Sequence, residues 1–184
     1  MNVEICRDPL LWDGYVETRL EASNYHRWIW KEPIQATFEH ESYYLAAMDR
    51  GGLEGVLPLF WIYSRLFGSA VVSVPFFSFG GVLASSPKAR DCLLAAAVEV
   101  AQGLGARHVE LRQGQSSDYG WCDTAAKVKM EVELPADPEL LWKGLSSRLR
   151  NKIRNAEKAG FRAQWGGVEE VANFYPVLDR KSVV

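Results

Sequence analysis

Apolar and polar positions along the 184 residues repeat with two different periods. Val3 to Cys6 reads as a short extended run. Asp8-Pro9 then opens a helix, because Asp caps main-chain N–H groups and Pro fits a first turn. Leu10, Leu11, Tyr15, Val16 and Leu20 supply its apolar stripe. Trp28, Ile29, Trp30, Ile34 and Phe38 lie at helical spacings and predict a second helix from Tyr25 to Phe38, with Pro33 a point of bending or restart. Strands follow at Ser42 to Asp49 and Leu53 to Tyr63. Between them Asp49-Arg50-Gly51-Gly52 signals a tight hairpin, since Gly accepts the positive φ of such turns. Pro58 marks the second strand as an edge or a bulge.

Ser69 to Val74 reads as another strand, ended by Pro75. Phe76 to Gly81 is a loop, and Val82 to Ala84 resumes extended structure. Pro87 to Leu104, rich in Ala and Leu, is a helix ended by Gly103 or Gly105. His108 to Arg112 is a strand. Gln113 to Asp123 is loop-like, and Lys127 to Leu134 alternates as a half-exposed strand does. Asp137-Pro138 opens a long helix ending near Gly160. Phe161 to Trp165 predicts a strand and Val168 to Leu178 a helix. The order predicts an α/β (α+β) fold, a mixed sheet flanked by helices.

Composition narrows the class. With 48% hydrophobic and 24% charged residues the chain is globular, which excludes disordered, collagenous and low-complexity classes. Seven Trp predict a deep core or an aromatic-lined cleft. A net charge of −2 predicts no bulk attraction to nucleic acid or anionic membrane, hence no DNA partner. That charge is unevenly spread. Residues 1–142 carry 12 Lys and Arg against 19 Asp and Glu, whereas residues 143–184 carry 9 against 4. A boundary or a basic site therefore falls near Trp142.

Cys6, Cys92 and Cys122 are too far apart for a metal-ligand pattern, so no metal site is expected. They read as buried free thiols of a cytoplasmic protein. The start MNVEICRDP lacks the pattern of a signal peptide. Leu66 to Ala84 is uncharged over a length that spans a membrane, but its Pro, Gly and Ser break helices and its Val-Val-Ser-Val favours a strand. No integral membrane segment is expected.

No nucleophile elbow, phosphate loop, zinc-protease motif or dinucleotide fingerprint is present. His26, His40 and His108 are scattered. Of these His26 stands out, between Tyr25 and the pair Trp28 and Trp30. Ser73-Val74-Pro75-Phe76 through Gly80-Gly81 is a second candidate, where glycines permit close approach of a ligand or of another backbone. The third is Ser147 to Lys158. There Arg150, Arg154 and Lys158 stack at steps of four beside Arg148 and Lys152, a pattern for either a solvated face or phosphate recognition.

Taken in order, these motifs resemble a known family. They run Tyr25-His26 to Trp30, then His40-Glu41-Ser42-Tyr43-Tyr44-Leu45 and Gly55-Val56-Leu57-Pro58-Leu59. Leu66-Phe67-Gly68, Ser73-Val74-Pro75-Phe76, Gly80-Gly81, His108 to Arg112 and Arg150 to Arg154 follow. The order is similar to that of the Fem family of aminoacyltransferases, in particular the FemAB-like proteins of the exosortase (PEP-CTERM)-associated type. The resemblance implies tandem domains of the acyl-CoA N-acyltransferase (GNAT) fold. Residues 1–135 would be the first domain, 136–160 a connecting basic helix, and 161–184 the truncated start of the second. It implies transfer of an aminoacyl or acyl group to an amine on a cell-wall or polysaccharide precursor. The donor is aminoacyl-tRNA or acyl-CoA, with no covalently bound cofactor, and any tRNA is held through the second domain. Activity of the 184 residues alone is not expected.

Amide formation needs a deprotonated amine, an activated acyl group and donors for the oxyanion. His26 and Glu110 are the candidate bases. Tyr25, Trp30, Lys31, Ser73, Phe76, Gly80, Gly81 and Arg112 are candidate substrate contacts, and Arg148, Arg150, Lys152 and Arg154 candidate phosphate ligands. The chain departs from the peptidoglycan-bridge members of the family. They place a Lys a few residues after the Trp, whereas here Lys31 follows Trp30 directly and Ile34 stands near the family position. The acetyl-CoA loop of ordinary acetyltransferases is missing. Two other classes stay open, a non-catalytic binding or assembly protein for an anionic sugar-phosphate or protein partner, and a self-sufficient acetyl-CoA-dependent enzyme.

Overall fold

The computed structural model describes residues 1–66, 68–114, 119–123, 130 and 132–179. It falls into two units, Met1–Lys129 and Met130–Val184. The first contains β1 (Asn2–Ile5), α1 (Pro9–Glu17) and two single 3₁₀ turns, Asn24–His26 and Trp28–Trp30. These lead into α2 (Lys31–Phe38), β2 (Glu41–Asp49), β3 (Gly52–Ser64), β4 (Gly68–Ser73), β5 (Leu83–Ala84), α3 (Pro87–Gly103) and β6 (Val109–Glu110).

The six strands form one mixed, mostly antiparallel sheet in the order β1-β2-β3-β4-β6, with β5 paired to β3. Only β4 and β6 run parallel, and α3 is the connection between them. The hairpin between β2 and β3 closes at the pair Asp49–Gly52, with Gly52 at φ 120°. Pro58 stands at neither an edge nor a bulge. It lies inside central β3 opposite Tyr44, and the register shift falls at Ala47 and Met48 instead. The missing Pro N–H is tolerated because β3 changes partner there. Its other edge pairs with β5 at Gly55 and Val56 and with β4 only from Leu59 onward.

Alternation along β2 and β3 divides the core. Tyr44, Ala46, Val56 and Phe60 face α1 and α2 through Trp12, Tyr15, Val16 and Ile34. Leu45, Ala47, Leu57, Leu59 and Val71 face α3 through Ala89, Leu93, Ala97 and Ala101. Burial on both faces explains why β3 reads as a nearly continuous apolar run. Of the expected stripe of α1, Tyr15 and Val16 are buried, and Trp12 takes the place of its N-terminal leucines. Trp12 is fully buried, its ring 4.7 Å from Tyr44, while Leu10 and Leu20 are exposed.

The single helix expected from Tyr25 to Phe38 is broken at Arg27, whose ψ of 148° is extended. Pro33 sits in the first turn of α2, where no N–H is needed, so it starts the helix rather than bending it. The strand expected at His108 to Arg112 pairs only at Val109 and Glu110. Cys6 is buried, but Cys122 is exposed, contrary to the expectation for all three thiols.

The second unit contains α4 (Pro138–Gly144), α5 (Ser147–Lys158), a 3₁₀ turn Val168–Glu170 and α6 (Val171–Asp179). The long helix expected from Asp137 is thus two helices. Leu145 turns extended at ψ 142°, and Ser146 restarts the chain by accepting the Leu149 N–H at 3.3 Å. Phe161 to Trp165 is not a strand; of the strand expected at Lys127 to Leu134, residues 127–129 and 131 lie outside the described residues, and Met130 and residues 132–134 are not in a strand. Apolar side chains of α6, Val171, Phe174, Tyr175 and Leu178, share one face at steps of three and four and remain exposed. Among the described residues no helix is long and apolar enough to cross a membrane.

Leu93 is fully buried at the centre of the α3 face. Its replacement by Ala is expected to cost about 2–5 kcal/mol. The check is the urea midpoint followed by circular dichroism, and a loss below about 1 kcal/mol would show that this face is not the packed core.

Candidate functional site

The first unit brings several expected residues together where β4 ends. Ser73, the last residue of β4, is fully buried, and its Oγ accepts the Arg112 N–H at 2.8 Å. The chain then turns sharply. Val74 and Phe76 adopt φ of 39° and 75°, in left-handed backbone that a branched or bulky residue enters at a cost of roughly 1–3 kcal/mol each. Val74 and Pro75 hold the turn by packing fully inside the core. The turn closes with Phe77 N–H donating to Val74 C=O at 3.4 Å.

Arg112 ties the loop down. Its Nη1 donates to Phe77 C=O at 2.8 Å and its Nε to Glu110 Oε1 at 2.9 Å. Its own carbonyl accepts Gly80 N–H at 3.1 Å. So Glu110, a candidate base, is ion-paired in this structure. Gly80 is required by its φ of 141° and by a close approach, since a Cβ there would fall 2.7 Å from Val74 Cγ2. Gly81 is covered by the Gln113 side chain. The close approach expected at both glycines is therefore made by the protein's own side chains. Sequence reasoning missed Gln113, whose Nε2 also donates to Tyr119 Oη at 2.7 Å. The only hint was its place directly after the strand.

Aromatic rings grip the loop from the other side. Phe77 stacks on Tyr25 at 4.5 Å and meets Trp30 at 4.5 Å. Phe76 stacks on Phe38 at 4.2 Å, with His40 beside it at 6.3 Å. Phe77, also missed from the sequence, is the ring that joins Tyr25 to Trp30. Lys31 points elsewhere. Its Nζ lies 4.3 Å from the Trp28 ring centre and 5.2 Å from that of Tyr44, and burial lowers its pKa.

His26 is only 5% exposed. It closes the first 3₁₀ turn through a capping box, its Nδ1 accepting the Ser23 N–H at 3.0 Å while Tyr25 N–H donates to Ser23 Oγ at 3.3 Å. Trp12 Nε1 donates to the His26 carbonyl at 2.7 Å and fixes the turn against the core. An Nδ1 that accepts is unprotonated, so the neutral ring carries its proton on Nε2. That Nε2 is buried without a hydrogen-bond partner. Burial pushes the His26 pKa below its ordinary value, and the main chain at Ser23 and Gly81 opposes this. His26 is thus a neutral donor in this structure rather than a poised base.

The other expected residues belong to other elements. The His108 side chain is exposed. Arg148, Arg150, Lys152 and Arg154 all belong to α5 in the second unit, where Arg150 is half-buried and Arg154 lies 5.4 Å from the Trp142 ring centre. A cavity of about 270 Å³ opens at the N-terminus of α3, beside Ser85, Ser86 and Arg90, with Tyr119 on its rim. A larger groove runs along β1 past Cys6 and Asp8 and touches none of the expected site residues. No group of His, Cys, Asp and Glu among the described residues could hold a metal ion. No family profile, curated protein or solved structure matches the chain.

The pKa of His26 makes stability depend on pH. Because the folded value lies below 6.5, the unfolded chain takes up the proton first as pH falls. The contribution is complete above about pH 6.5 and is lost below it. His26→Asn keeps a cap acceptor and removes the titration. The wild type is therefore expected to lose more stability than His26→Asn between about pH 7 and about pH 5 in urea titrations. Equal losses would show that His26 is not a buried neutral imidazole.

Proposed function

We propose that the chain is an N-acyltransferase of the Fem type with a GNAT-like sheet. It forms an amide on an amine of a cell-wall or polysaccharide precursor, with aminoacyl-tRNA or acyl-CoA as donor. The observation that carries the reading is connectivity. Two helices lie between β1 and β2, four antiparallel strands run β1 to β4, and one helix crosses to a parallel β6. This order supports a GNAT-like reading of the sheet. The change of partner along β3 leaves β4 and β5 apart at Leu57 and Pro58, and the loop carrying Ser73 to Gly81 crosses that opening.

In this reading the acceptor lies against Tyr25, Trp30 and the loop. The amine attacks the acyl carbon, its proton passes to a base, and the thiol or tRNA hydroxyl leaves. With the His26 proton on Nε2, Glu110 is the remaining proton acceptor, and it must first leave Arg112. The cavity at the N-terminus of α3, with Arg90, suits an anionic donor, because free helix N–H groups and a guanidinium both attract phosphate. Arg150 and Arg154 of α5 serve a diphosphate or an RNA backbone.

One observation favours a second reading, a binding or assembly module for an anionic sugar-phosphate. Neither candidate base is free here, as Glu110 is ion-paired and His26 Nε2 carries its proton. Mass spectrometry of reactions with acyl-CoA or aminoacyl-tRNA and amine-bearing precursors separates the two. The transferase reading expects an amide product from one donor class with the protein that carries both domains, and a KM raised roughly tenfold or more by Arg150→Ala/Arg154→Ala. No product with either donor, together with retained UDP-sugar binding that the same variant weakens, would leave the binding module in its place.

A further inference from the structure

The loop from Val74 to Gly81 is held shut against two opposing costs. The first is backbone strain, with Val74 and Phe76 in left-handed conformations. The second is the buried Nε2–H of His26, which has no acceptor. The main chain at Gly81 lies near the ring but offers no hydrogen bond of good geometry. A buried donor without an acceptor carries a desolvation cost, which other contacts of the loop have to offset.

Those contacts are a set of side-chain grips. Phe77 is clasped by Tyr25 and Trp30, Phe76 rests on Phe38, and Arg112 bonds the Phe77 carbonyl. Phe76, Phe77 and Arg112 are all partly exposed, so their contacts release without opening the paired core of β3 and β4. Lifting the loop relieves both costs and forfeits the grips together with the burial of Val74 and Pro75. The two arrangements are alternatives of one short segment, which is the makeup of a two-state element.

We propose that the Val74–Gly81 loop is a lid over His26, and that in the lifted state the Nε2–H binds the carbonyl oxygen of a neutral amide seated against Tyr25 and Trp30. The ligand class follows from what the site offers. The capping box fixes Nδ1 as an acceptor, so Nε2 is a fixed donor. A neutral donor matches a neutral acceptor, and the charge of Arg112 is already met by Glu110. The faces that Phe77 vacates are aromatic, and a planar amide group stacks on such faces.

Amide hydrogen exchange, resolved by NMR on the full chain, tests the lid. Phe77 N–H and Gly80 N–H are expected to exchange at least about tenfold faster than the hydrogen-bonded amides of β3. Arg112→Met is expected to speed both by roughly tenfold more while the β3 amides stay unchanged. Exchange of the loop amides only together with β3 would overturn the lid. Nitrogen shifts of the His26 ring, followed with N-methylacetamide and separately with acetate, test the donor. N-methylacetamide is expected to move the Nε2 signal, more strongly in Arg112→Met, and acetate to leave it in place. A response to both, to neither, or to acetate alone would overturn the assignment. His26→Asn, checked for folding by circular dichroism, is expected to abolish the N-methylacetamide effect on Tyr25 and Trp30 signals, and its persistence there would also overturn it.

Discussion

Strand β3 pairs with β2 from Gly52 to Trp61, but its opposite edge has to serve two shorter strands. The reason is local. Pro58 has no N–H to give to a ladder, so continuous pairing on both sides of this point is impossible. The second edge is therefore divided, with β5 on one side of Leu57 and Pro58 and β4 on the other. Once β4 and β5 part, the chain between them must cross the opening, and residues 74–82 do so. The buried Val74 and Pro75, the left-handed turns and the need for glycine at Gly80 all follow from bridging that split within a packed core.

Elements whose signal was local were legible in the sequence. Asp8-Pro9 caps α1 as read, α3 starts at Pro87, and the glycines after Asp49 close the hairpin. The order of strands and helices in the first unit was readable for the same reason. What could not be read depended on tertiary contact. Trp12 outranks Leu10 and Leu11 because it reaches both Tyr44 and the His26 carbonyl, a contact 14 residues away that no periodicity encodes. The break at Arg27 follows from His26 folding back on Ser23, which competes with helix propagation. Pro58 misled because an edge strand and a strand that exchanges partners make the same demand on a missing N–H.

The candidate site was legible as a list but not as chemistry. His26, Tyr25, Trp30, Ser73, Gly80, Gly81, Glu110 and Arg112 do cluster around one loop. Their roles depend on hydrogen-bond direction, which residue types do not reveal. A histidine beside aromatic rings reads equally as base or donor until the Ser23 N–H is seen to occupy Nδ1. A glutamate two residues before an arginine on a strand reads as a free carboxylate until the strand is found to end between them, leaving Arg112 able to turn back on it. Likewise the glycine pair signals close approach, and only the packing shows that Val74 and Gln113 make it.

These directions set what the surface can do in this arrangement. An acid–base cycle needs a group that can take a proton, and here one candidate has donated its lone pair to a cap and the other its charge to Arg112. Both constraints pass through the same loop, since Arg112 holds Phe77 and Glu110 at once and the main chain at Gly81 lies near the His26 ring. Breaking the Arg112 grip would therefore free the carboxylate and remove one of the contacts that hold the loop. Arg112 thus joins the loop to Glu110, and the split in β3 is what placed the loop within its reach.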